Sequence, residues 1–107
     1  MEIQKPDESN RSAYMKEVQK GLQIFEQGLN GMKFSQFTQQ KNQYEKSTHE
    51  SLQAIQDAVK GIMNKELNRL KDELSKDYQN YLDNPNDQNF KKVQSDIDSL
   101  KKSSQPQ

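Results

Sequence analysis

Residues 52–82 read LQAIQDAVKGIMNKELNRLKDELSKDYQNYL, and apolar side chains recur in them at Leu52, Ile55, Val59, Met63, Leu67, Leu70, Leu74, Tyr78 and Tyr81. Steps of three and four residues follow the surface of an α-helix. The opposite face carries Gln56, Lys60, Asn64, Lys65, Arg69, Lys71, Glu73, Lys76 and Gln79, which water can solvate. Read as one continuous helix, the stretch is roughly 45 Å long at about 1.5 Å per residue. An apolar stripe of that length needs partner helices laid along it, from the same chain or from another. Its mean spacing of about 3.6 residues predicts a nearly straight helix with weak supercoiling.

The composition narrows the choices further. A chain of 107 residues has room for one domain. Only 29% of it is hydrophobic and the mean hydropathy is -1.29, against about 45–50% apolar residues in ordinary globular chains. Disorder by that route also calls for a large net charge. Here 16 basic residues balance 16 acidic ones, which favours a helical protein of modest stability. The two signs are mixed along the chain, so no basic face is available for nucleic acid. No apolar run reaches the roughly 18 residues of a membrane span. Met1 to Asn10 lacks the apolar centre of a cleaved signal peptide. The expected location is the cytoplasm, with export by a route that needs no signal peptide as the alternative. There is no cysteine, hence neither a disulfide framework nor a thiolate metal site.

On either side of the central stretch the chain divides as follows. Residues 1–8, with Ile3 isolated and a proline at Pro6, read as a flexible arm. Asp7 or Ser9 is placed to cap a first helix over 9–29. Its seam is Met15, Val18, Leu22, Phe25 and Leu29, heptad-like and widened by Tyr14 and Ile24. Gly21 lies inside it and suits the close approach of a neighbouring helix. Gly28, Asn30 and Gly31 read as its C-terminus and turn. From Met32 to Ser51 the pattern is weak and Gln-rich, but nothing breaks a helix. The second helix is therefore predicted to run over 33–82, with Gly61 as a soft spot. Asp83, Asn84, Pro85, Asn86 and Asp87 form the clearest punctuation. Asn84 suits an N-cap, Pro85 the first helical position and Asp87 the third. A third helix over 85–102 carries Phe90, Val93, Ile97 and Leu100. Residues 103–107 read as a disordered polar tail.

Candidate chemistry is thin. The only histidine, His49, lies in a polar segment with Glu45 one turn away, a pair rather than the three or four ligands of a metal site. No phosphate-cradling glycine loop and no Gly-x-Ser-x-Gly motif occurs. Asp72, Glu73, Asp77 and Asp83 are interleaved with Lys71 and Lys76, which suits helix ion pairs better than a cation site. Residues 83–87 lack the glycine and distal glutamate of a calcium loop. No enzyme activity, cofactor or metal is expected. The aromatics Phe34 and Phe37 fall where the rest of the chain offers little to bury them. With Tyr44, Leu52, Ile55 and Val59 they form the candidate partner-binding set.

From Leu67 to Leu100 the chain resembles the helix-turn-helix hairpin of type III secretion needle and inner-rod subunits. The residues that carry the resemblance are Leu74, Tyr78 and Leu82, then Asn84, Pro85, Asn86 and Asp87, then Phe90, Val93, Gln94 and Ile97. It covers about one-third of the chain, and the helix after the turn is shorter here than in those families. The small helical chaperones that guard such subunits are similar in size and in their low apolar content. The resemblance implies an accessory of a bacterial secretion apparatus, and it transfers no functional residue.

The sequence thus predicts an all-α domain of three helices, the second very long, arranged as an extended hairpin or open bundle with coiled-coil character. Its expected role is a non-enzymatic protein–protein interaction, as a small chaperone or structural subunit of a secretion apparatus. The alternatives are a secreted helical effector and a coiled-coil scaffold subunit. The expected partner is another helical protein or a second copy of the chain.

Overall fold

The computed structural model describes residues 8–104 and divides the central stripe at Met63 and Asn64. Four helices result: α1 (Glu8–Phe34), α2 (Thr38–Ile62), α3 (Lys65–Asp83) and α4 (Asp87–Ser103). Their lengths of 27, 25, 19 and 17 residues correct the expected three helices with a very long second one. The expected arm over 1–8 lies outside the described residues except for Glu8, which opens α1. Of the expected tail, Ser103 ends α4 and Ser104 is buried beneath it, its hydroxyl donating to the Leu100 carbonyl at 2.6 Å.

The break has a local cause. Met63 adopts a left-handed conformation, φ 59 and ψ 43, and its N–H closes α2 on the Val59 carbonyl. Asn64 is extended, and its side-chain oxygen accepts from the Leu67 N–H at 3.0 Å, an N-cap that starts a new helix. The two-residue connection leaves the spacing Val59, Met63, Leu67 unbroken in sequence. That is why the stripe reads as continuous. The residue that points inward at the end of α2 is Ile62, 5% exposed, while Met63 is 75% exposed.

The first turn also falls later than the glycines suggest. Gly28 and Gly31 lie within α1, which runs on to Phe34. They serve close packing instead of helix termination. A Cβ at Gly28 would collide with the Thr48 hydroxyl and stand 3.2 Å from the Tyr44 carbonyl oxygen, and one at Gly21 would stand 2.7 Å from Ile55 Cγ1. Small residues on α1 thus oppose Thr48, Ser51 and Ile55 on α2, and the two backbones come close along an antiparallel hairpin. The buried hydroxyls stay within their own helix: Thr48 donates to the Tyr44 carbonyl at 2.6 Å and Ser51 to the Thr48 carbonyl at 2.8 Å.

The last turn is shifted by two residues from the expected capping. Asn84 closes α3 through its N–H on the Asn80 carbonyl, and Pro85 follows outside any helix. Asn86 is the N-cap of α4, accepting from the Asn89 N–H at 2.8 Å, so Asp87 becomes the first helical residue instead of the third. Asn89 in turn donates to the Asn84 carbonyl at 2.8 Å and so braces the turn.

Two antiparallel hairpins, α1–α2 and α3–α4, therefore pack into one bundle. Gln56 of α2 donates to Ser75 of α3 at 2.8 Å, and Lys101 of α4 reaches Glu26 of α1 at 3.1 Å, so neighbouring helices alternate in direction. Phe25 of α1 meets Tyr78 of α3 across the centre. The core is one cluster, with Val18, Leu22, Phe25 and Leu29 from α1 and Ile55, Ala58, Val59 and Ile62 from α2. To these α3 adds Leu67, Leu70, Leu74, Tyr78 and Tyr81, and α4 adds Phe90, Val93, Ile97 and Leu100. The apolar seams that seem to call for an outside partner largely cover one another.

Candidate partner-binding surface

The expected partner-binding residues separate into two groups. Ile55 and Val59 are fully buried under α1 and belong to the core, and Leu52 is partly buried against it. Ile55 is interior because α2 presents it to Gly21 of α1, and Val59 lies one turn further along the same face. Phe34, Phe37 and Tyr44 are 71%, 65% and 42% exposed and gather around the α1–α2 turn. This turn is the one place among the described residues where several large apolar side chains close in sequence face solvent together.

The turn itself holds the aromatics outward. Phe34 is the last residue of α1, and Phe37 occupies the N-cap position of α2 in extended conformation without any side-chain cap. A phenyl ring cannot accept the free N–H groups of the first turn, a role that serine, threonine, aspartate or asparagine fills well. Ser35 works nearby instead, its hydroxyl 3.2 Å from the Phe37 carbonyl and 3.1 Å from Gln40 Oε1. The Tyr44 ring lies on Gly31, where any side chain would displace it. Gln36, Gln39, Gln40 and Gln43 are the neighbours of these aromatics in sequence, with Lys33 and Lys41 among them.

Lys33 ties this tip to the second hairpin. Its ammonium is 2.9 Å from Asp87 Oδ1, 4.0 Å from the centre of the Phe90 ring and 5.6 Å from that of Phe34. The hydrogen bond and the charge of Lys33 hold the Asp87 carboxyl below the usual aspartate range. The tip is thus a braced corner where the α1–α2 and α3–α4 turns lie side by side.

A second set of polar side chains lies along α2 and α3. His49 Nε2 is 4.0 Å from Glu45 on one side, and its ring stands edge-on to Tyr78 at 5.4 Å on the other. His49 and Tyr78, with Leu52, Gln56, Ser75 and Leu82, line a shallow groove between α2 and α3 of about 340 Å³. Ser75 there receives a hydrogen bond from Gln56, not one that would prepare a nucleophile. Among the described residues no group of three or more His, Cys, Asp or Glu could hold a metal ion, and no helix is long and apolar enough to cross a membrane.

Two features escape a reading of sequence. Tyr78 buries a hydroxyl that has no hydrogen-bond partner among the described residues, and burial raises its pKa. Asp96 of α4 likewise buries Oδ2 without a partner, facing Asp77 of α3. Asp96 sits one residue before the core position Ile97, and that flanking register is the only sequence signal it offers. Comparison with known proteins finds no match: no family model, no curated protein and no solved structure is significantly similar to this chain.

Proposed function

We propose that this chain is a non-enzymatic interaction protein that engages an apolar helix of another protein through the aromatic tip formed by Phe34, Phe37 and Tyr44. The preferred role is a small chaperone of a bacterial secretion apparatus, with a structural subunit of that apparatus next. The observation that carries the reading is the tip itself. Three aromatic side chains stay in water on a bundle whose other seams bury theirs. Aromatic side chains are enriched at the centres of protein interfaces. The α3–α4 hairpin supports the secretion setting, because its residues carry the resemblance to needle and inner-rod subunits. Its apolar faces are used within its own bundle, which favours the guarding role over a filament subunit.

A second reading has its own support. Since the four helices cover one another within one chain, a secreted effector that works as a free monomer fits the same bundle.

The test is stoichiometric co-purification with a helical partner, compared between the wild type and a Phe34→Ser/Phe37→Ser variant. Loss of the partner at unchanged melting temperature supports the proposal. Undiminished capture by the variant rules out the tip. A wild type that is recovered from the culture medium as a monomer and captures nothing places the effector first.

A further inference from the structure

We propose that Asp77 of α3 and Asp96 of α4 form a proton-sharing latch across the outer seam of the second hairpin, which holds while the pair keeps one proton and loosens when it is lost. The seam begins at Tyr81 and Phe90, whose ring centres are 5.7 Å apart beside the turn. The following turns of the two antiparallel helices bring the carboxyls of Asp77 and Asp96 together. Ser75, bonded to Gln56, marks the flank of α3 that faces α2, and Lys101, paired with Glu26, marks the flank of α4 that faces α1. Asp77 and Asp96 lie away from those two flanks, and the charged neighbours of Asp96 all belong to α3 and α4.

Asp96 Oδ2 is shielded from water, and while both carboxyls are ionised it has no hydrogen-bond donor among the described residues; the Asp77 carboxyl beside it becomes its partner only when one of the two holds a proton. The charged groups that face it are Asp77 and Glu73 from α3 and Lys92 from its own helix. Glu73 is already bound to Arg69 at 2.9 Å. Neither Asp77 nor Asp96 makes an ion pair within 4.0 Å among the described residues. Two ionised carboxylates can only accept hydrogen bonds and repel each other, whereas one proton between them turns the contact into a hydrogen bond. Burial first, and then the hydrogen bond and charge of Asp77, push the Asp96 carboxyl up to about 8.

The sign of the effect follows. An aspartate in the unfolded chain titrates near 3.9. The folded pair holds its proton to a higher pH, so this contribution to stability is complete below about pH 4 and disappears as the pH rises through about 8. The other shifted groups act outside this window, since Glu66 and Asp87 are lowered and Tyr78 and Tyr81 are raised. Above the range in which unfolded aspartates lose their protons, the folded chain therefore binds more protons than the unfolded chain, and its folding constant is expected to fall as the pH rises, by at most about tenfold per pH unit for one proton.

Urea unfolding of the full chain at pH 5, 6 and 7, for the wild type and Asp96→Asn, tests the latch. Asp96→Asn retains every other titrating group, so the difference between the two profiles isolates the pair. The expected result is a steep fall in the wild type and a profile flatter by about one proton in the variant. A carboxyl-carbon NMR titration of the wild type reads the same proton without any substitution, and it decides the matter if the variant does not fold. One of the two carboxyls should titrate above pH 6. Equal slopes for the two chains, or both carboxyls titrating below pH 5, would overturn the proposal.

Discussion

Tyr78 of α3 stands edge-on to Phe25 of α1, with ring centres 5.0 Å apart and planes inclined by 68°. Tyr78 also receives the edge of His49 from α2 at 5.4 Å. Both Phe25 and Tyr78 lie in the core, and their contact joins the two hairpins across the centre of the bundle. An edge-to-face pair adds about 0.5–1.5 kcal/mol beyond the area it buries. Phe25→Ala is expected to cost about 3–5 kcal/mol, a large share of the roughly 5–15 kcal/mol that keeps an ordinary domain folded. Tyr78→Phe keeps the ring and removes a buried hydroxyl that has no partner. It should therefore be neutral or stabilise by about 1 kcal/mol. Urea titrations of both variants check the pair, and a loss of more than 1 kcal/mol in Tyr78→Phe would mean that the hydroxyl is bonded in solution.

The contact between α1 and α2 predicts a glycine effect opposite to helix propensity. In an exposed helix, Gly28→Ala would stabilise by about 1 kcal/mol. Here the added methyl meets the Thr48 hydroxyl and the Tyr44 carbonyl oxygen. That carbonyl is fixed by its hydrogen bond from Thr48, and overpacking of this kind costs about 1–3 kcal/mol. The net expectation is a loss of up to about 2 kcal/mol, read as a fall in melting temperature of roughly 4–8 °C per kcal/mol. A higher melting temperature for Gly28→Ala would show that the helices separate easily at this point.

Met63 leads to the reverse experiment. A side chain at φ 59 carries the steric penalty of the left-handed region, which glycine escapes. Since Met63 is largely exposed, Met63→Gly loses little packing and should stabilise by about 0.5–1 kcal/mol. Met63→Ala keeps the penalty and serves as the control. If both variants destabilise equally, the thioether packs on a neighbour and the backbone is not what limits this turn.

Much of the bundle was legible because helical spacing reports which side chains face inward. Leu22, Leu67, Leu74 and Ile97, all read as seam residues, are nearly or fully inaccessible. The spacing does not report whether a helix continues. Val59, Met63 and Leu67 keep a four-residue step through a two-residue turn, so the stripe hides the break, and only Asn64 as an N-cap marks it. Gly28 and Gly31 mislead for a different reason. Glycine ends helices and also admits close neighbours, and the choice between these uses depends on the opposite helix, here Thr48 and Tyr44. The exposed tip was partly legible, since Phe34 and Phe37 lie among glutamines with no apolar partners in phase. Ile55 and Val59 belong by periodicity to any buried face, and sequence cannot say whether the same chain or another covers it.

The tip residues also permit a separation of binding from stability. Phe34 and Phe37 are more than half exposed, and surface substitutions usually change stability by no more than about 0.5 kcal/mol. The two changes in Phe34→Ser/Phe37→Ser together amount to at most about 1 kcal/mol, so the variant is expected to melt within roughly 4–8 °C of the wild type. A much larger fall would show that the rings pack on the bundle in solution.

The corner behind the tip predicts how the bundle responds to acid. Asp87 is the first residue of α4, where the helix dipole favours a negative charge, and Lys33 binds it from α1. Its folded carboxyl titrates below the usual aspartate value. The stabilising contribution is therefore present above about pH 4, the unfolded range, and is lost as the pH falls through the lower folded value. Lys33→Gln removes the partner charge and should flatten this acid limb, so that the wild type loses more stability than the variant between pH 4 and 2. A constant difference between the two chains over that range would assign the role of Lys33 to its contact with the Phe90 ring, 4.0 Å away, which acid leaves intact.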